Sequence, residues 1–121
     1  MRTNWKPYLF DKKKDDGDFA NGVAYGRVRL GNARIYWELG FRWYGVEISR
    51  IERVYRRVED TLMQVGCRPG GQGIQKLVLI LTDGTKLELQ IGEGNKETVA
   101  EGLYLALQLA HPYLKYGKSH D

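Results

Sequence analysis

A chain of 121 residues with 42% hydrophobic and 12% aromatic content can build one domain around one core, and this composition excludes global disorder. No apolar run approaches the roughly 20 residues that a bilayer-spanning helix needs. The N-terminal MRTNWKPYLFDKKKDD lacks the apolar stretch of a secretory signal, and Cys67 stands alone, so no internal disulfide can form; together these features predict a cytoplasmic protein.

Residues 1–20 read as an N-terminal extension, partly disordered or docked. Lys12, Lys13 and Lys14 are nearly balanced by Asp15, Asp16 and Asp18, as in a solvated loop. Trp5, Tyr8, Leu9 and Phe10 are out of place in a free tail and suit docking on a domain that begins at residue 21. From Val23 the chain alternates as strands do. Val23 to Leu30 is the first, closed by a turn at Gly31-Asn32. Ile35, Trp37 and Leu39 mark the second, and Tyr44, Val46 and Ile48 mark the third after a turn opened by Gly40. Ser49-Arg50 makes a corner. Ile51 to Glu59 is a fourth strand and Thr61 to Cys67 a fifth, with Cys67 read as an inert small residue at its end. Arg68 to Gly73 is a loop by composition.

The best-defined stretch follows. Leu77 to Leu81 is an unbroken apolar run, Asp83-Gly84 predicts a type I′ hairpin, and Leu87, Leu89 and Ile91 alternate with Glu88 and Gln90. Asn95 is placed to cap a helix N-terminus. On that helix Val99, Ala100, Leu103, Ala106, Leu107 and Ala110 share a broad apolar face, opposite Glu97, Glu101, Tyr104 and Gln108. Leu105 and Leu109 fall on the flank and need separate cover, from the Trp5–Phe10 segment or a second subunit, so they form the candidate interface. Pro112 ends the helix, Gly117 is a natural stop, and 117–121 is a disordered tail. Seven strands in a row followed by one helix predict a mostly β chain: an antiparallel, partly open barrel of two near-orthogonal sheets capped by a C-terminal helix. Nothing alternates as βαβ, and no internal repeat is present.

This layout resembles the pleckstrin-homology (PH) superfold over about residues 21–116. It is similar in particular to small bacterial PH-like domains, in which a hairpin such as Arg34 to Ile48 leads into an Ile-Ser-Arg-Ile corner, here Ile48 to Ile51, and then a basic strand. Some members of that family assemble into oligomers. Members across the superfold bind lipids, peptides or proteins, so the resemblance implies an interaction module without naming the ligand. PH domains that bind inositol phosphates carry a basic residue before the first loop and two, spaced by one, after it. Arg27 and Arg29 precede the turn and Arg34 follows it, but Tyr36 stands where the second is expected.

Charge gives the competing reading. Between Arg27 and Arg68 nine arginines face five acids, a surplus equal to the net charge of +4. Arg27, Arg29, Arg34 and Arg50 form a candidate surface for anionic lipid. The simpler account has arginine stems covering apolar surface and pairing with nearby acids. Tyr36, Trp43, Tyr44 and Tyr55 among arginines raise single-stranded nucleic acid, which the element order disfavours. No catalytic set emerges from Ser49, Ser119, His111 and His120, one cysteine and two histidines supply no metal site, and no cofactor motif is present. The expectation is a non-enzymatic PH-like module that meets an unknown protein or itself, with an anionic membrane surface as the alternative.

Overall fold

The computed structural model describes residues 4–60, 73–93 and 97–117. The predicted strand 61–67, the loop 68–72, the Asn95 cap, Ser119, His120 and the tail 118–121 lie outside the described residues. Eight strands and one helix are present among the described residues: β1 (Val23–Tyr25), β2 (Val28–Leu30), β3 (Arg34–Leu39), β4 (Arg42–Glu47), β5 (Ile51–Asp60), β6 (Gly73–Leu81), β7 (Lys86–Glu93), α1 (Glu97–Ala110) and β8 (Lys115–Tyr116). The chain is mostly β with a C-terminal helix. One sheet has the order β1-β2-β3-β4 and is antiparallel throughout. The other has the order β7-β6-β5-β8, with β8 parallel to β5.

The seven-strand expectation needs correction at both ends. Val23 to Leu30 is two strands, because Gly26 takes φ +62° and turns the chain back so that Tyr25 pairs with Val28. A glycine at the first central position is what a type II′ hairpin demands. The turn also packs tightly. A Cβ on Gly26 would collide with the carbonyl oxygen of Ile91, and the Arg27 N–H donates to that same oxygen at 3.1 Å. Here the first sheet touches β7. The alternation simply runs through this two-residue turn, which hid it. The eighth strand is too short for any pattern to show.

The Asp83-Gly84 turn is also not type I′. Only Gly84 has positive φ, at +90°. Leu81 donates to the Thr85 carbonyl, Gly84 donates to that of Leu81, and the Asp83 carboxylate accepts the Thr85 N–H at 2.9 Å. This is a three-residue loop with its glycine in the left-handed position. Asp83 keeps a negative φ, and its side chain gains a backbone partner in the turn.

Both sheets give their apolar sides to one core. Ile35 and Trp37 of β3, Val54 of β5, and Leu77, Leu79, Leu87, Leu89 and Ile91 of β6 and β7 are all buried. The corner Ile48–Arg50 is one 3-10 turn, fixed by the Ile48 N–H on Ala33 and the Thr82 N–H on Arg50. The helix packs over β1, β5 and β6 with Ala100, Leu103 and Leu107 buried. Its polar face differs from expectation. Tyr104 is half-buried against Tyr116, with ring centroids 5.5 Å apart, and Ala110 is exposed. The solvent ridge is Glu97, Glu101, Leu105 and Leu109 instead. The reason is β8, which returns beside β5 and covers the Tyr104 side.

Candidate functional site

Residues 5–21 form a strap around the edge of the first sheet. Trp5 and Tyr8 lie on its inner side, 5.7 and 6.2 Å from the Trp37 ring. Leu9 bridges to Tyr44, and the Phe10 N–H donates to the Trp43 carbonyl at 2.9 Å. The chain then passes round β4 to the outer face. There Phe10 and Phe19 meet Tyr36 at 4.7 and 5.0 Å, and Phe19 meets Trp43 edge-on at 4.9 Å. The rings form a second small core outside the sheet, with geometry that suits aromatic quadrupoles. Gly45 makes room for it, since a Cβ there would sit 2.9 Å from the Tyr36 ring.

Asp18 pins the strap. Its carboxylate accepts the backbone N–H groups of Asn32, Ala33 and Arg34 at 2.8, 3.0 and 3.2 Å, and the Tyr36 hydroxyl at 2.8 Å. Three successive N–H groups make an anion-binding concavity, here filled by the chain's own carboxylate. Burial pushes the Asp18 carboxyl upward, but the donors from Ala33, Tyr36, Asn32 and Arg34 outweigh it and hold it below the ordinary aspartate value. Burial pushes the Tyr36 hydroxyl up to about 12; Arg34 opposes the shift and Asp18 adds to it. Gly31 has no side chain because the Asp18 carboxylate occupies the space a Cβ would need.

The four arginines of the candidate lipid surface are not presented together. The Arg29 guanidinium donates to the Phe19 and Ala20 carbonyls and lies 5.0 Å over the Phe19 ring. Arg34 faces Asp16 at 3.7 Å. Both are therefore held by the strap. Arg50 is exposed at the corner, 5.9 Å over Tyr8. Arg27 is exposed on the β1–β2 turn, where its carbonyl accepts the Glu38 N–H. Elsewhere Arg57 pairs with Glu88 at 2.9 Å, and Arg53 donates to Gly117.

Free apolar and basic groups collect instead at the β3–β4 turn. Gly40 and Phe41 both have positive φ, +57° and +69°, as a type I′ turn requires. Phe41 is fully exposed at 100%. Beside it an open recess of about 550 Å³ is lined by Leu9, Phe10, Lys12, Lys13, Arg42 and Trp43. The signal was present in the sequence as Gly40 between two alternating runs, but the residue after it is one that such turns disfavour. Asp18 gave no signal at all, because its partners, three backbone N–H groups and the Tyr36 hydroxyl, are 14 to 18 residues away.

The candidate interface residues lie together. Leu105 is 50% and Leu109 85% exposed, and Tyr113, in the turn after the helix, is 69% exposed. His111 Nδ1 lies 3.3 Å from the Tyr113 hydroxyl, and burial depresses its pKa. Ser49 is exposed on the corner Ile48–Arg50. Among the described residues no three His, Cys, Asp or Glu side chains converge as metal ligands would, and no helix is long and apolar enough to cross a membrane. Comparison with protein-family models, curated proteins and solved structures found no match.

Proposed function

We propose that this chain is a non-enzymatic, cytoplasmic interaction module of PH-like fold that associates with a second copy of itself through α1. The order of elements supports the PH-like part: a meander β1 to β4, a meander β5 to β7, then one helix. The observation that carries the function is the exposed pair Leu105 and Leu109 on the helix, with Tyr113 just after its end. Leu105 and Leu109 sit four apart on the helix, so they stack along one side, and Tyr113, in the turn just past the helix end, is exposed as well. Isolated exposed leucines are ordinary, but two stacked on one helix side form a patch. Residues 97 and 101 on the same ridge are acidic and exposed. A two-fold antiparallel pairing sets Leu105 of one copy against Leu109 of the other, which is the self-complementary arrangement a dimer needs. The contact is small, so association depends on concentration.

The test is sedimentation equilibrium of the full chain across a wide concentration range, with the L105E/L109E double variant beside it. The expected result is a wild-type dimer at high concentration and a variant that stays monomeric with an unchanged circular dichroism spectrum. A wild-type chain that remains monomeric at the highest concentration removes the reading.

A further inference from the structure

We propose that the β3–β4 turn is a membrane-docking tip, in which Phe41 enters the headgroup–acyl boundary of an anionic bilayer while Lys12, Lys13 and Arg42 hold its headgroups. This goes beyond the helix contact and uses none of the arginines held by the strap. Phe41 breaks two local rules at once. Its ring is fully exposed, and its backbone is left-handed at φ +69°, a region that β-turns fill with Gly, Asn or Asp. Local strain of this kind persists where it serves a function. Leu9, on the same recess, is 46% exposed, and Leu39, at the base of the turn, is 36% exposed, so the apolar surface is wider than one ring.

The charges around the ring are uncommitted. Lys12, Lys13 and Arg42 line the recess against one carboxylate, Asp11, which already accepts the Lys13 backbone N–H at 3.0 Å. None of the three cations forms an ion pair with a described residue. On the far side of Phe41, Arg27 and Glu38 line a smaller hollow of about 260 Å³ and offset one another. An apolar tip beside exposed, unpaired cations matches a lipid surface. One insertion or a few charges alone bind a membrane marginally, whereas the two together bind it stably. The tip projects, so it fits a fluid interface without needing a shaped cavity in a partner.

The test is co-sedimentation of the full chain with vesicles of phosphatidylcholine alone and with about one third phosphatidylserine, at low salt and near 0.15 M, where screening reaches about 8 Å. Binding is expected only to the anionic vesicles, weakening with salt, with a blue shift of Trp43 emission at the recess. F41G places glycine where the backbone is already left-handed, so the variant folds; it is expected to bind about tenfold more weakly through lost apolar burial. K12E/K13E is expected to weaken binding at least about tenfold. Equal binding by F41G, equal binding to neutral vesicles, or no binding at low salt overturns the proposal. So does a change in self-association on F41G without vesicle binding, which would assign the tip to a second copy.

Discussion

A single carboxylate, Asp18, ties residues 5–21 to the sheet, and its chemistry makes a pH prediction. It accepts four hydrogen bonds, three of them from backbone N–H groups of one turn. Hydrogen bonds to a charged acceptor are each worth more than neutral ones, and removing the acceptor leaves donors without a partner. D18A is therefore expected to cost about 2 kcal/mol in urea unfolding. D18N has one oxygen where Asp18 has two, and loses the charge. Because the folded-state pKa is depressed, the carboxylate stabilises the fold fully above its unfolded value of about 3.9 and loses that effect as pH falls through the lower folded value. Burial pushes the Glu88 carboxyl upward, but Arg57, Lys76 and Lys86 outweigh it and depress it too, so wild-type stability alone does not isolate Asp18. The difference between wild type and D18N does. It is expected to be constant above about pH 5 and to shrink below about pH 4. A difference that stays constant to pH 2 would mean the charge at Asp18 is not what secures the strap.

At the scale of elements, the parts that were legible from sequence are those whose neighbours are close in the chain. Leu77 to Leu81, then Leu87, Leu89 and Ile91, read correctly as a hairpin, and all but Ile80 among these apolar residues are buried. The helix was legible for the same reason. Its C-terminal end was not, because the group that completes it comes from β8. The Tyr116 hydroxyl lies 2.8 Å from both the Leu107 and His111 carbonyls, and so adds to the amides of His111 and Leu114 that donate to them at 2.7 and 3.3 Å. One hydroxyl hydrogen serves one acceptor at a time, so the contribution is that of a single bond. Y116F is expected to cost about 1 kcal/mol and to speed hydrogen exchange at the His111 amide, which donates to Leu107 at 2.7 Å. Unchanged exchange at His111 would show that the helix ends independently of β8. The Gly26 turn was hidden by the alternation that runs through it, and its second requirement for glycine, the Ile91 carbonyl, lies far along the chain.

Taken whole, the molecule covers the middle of β3 on both faces, which a two-residue alternation does not announce. Ile35, Tyr36 and Trp37 are consecutive and all buried, the outer one by aromatic rings of the strap. A strand buried on one side alternates; one buried on both sides loses that signature. The price of the second cover is a tyrosine hydroxyl confined beside a carboxylate. Tyr36 and, at the helix end, Tyr116 are both pushed by burial up to about 12, so the fold holds two phenols neutral that the unfolded chain ionises near 10. A raised folded-state value gives stability that is full below the unfolded pKa and is lost as pH climbs toward the folded one. The strap and the helix end should therefore weaken together between about pH 10 and 12. In urea titrations the wild-type midpoint is expected to fall across that window, Y36F and Y116F each to fall less, and the double variant least. Absorbance of phenolate should rise with unfolding at these two sites and not ahead of it. If the double variant declines as steeply as the wild type, alkaline sensitivity lies elsewhere, and the two outer layers do not govern the upper pH limit of the fold.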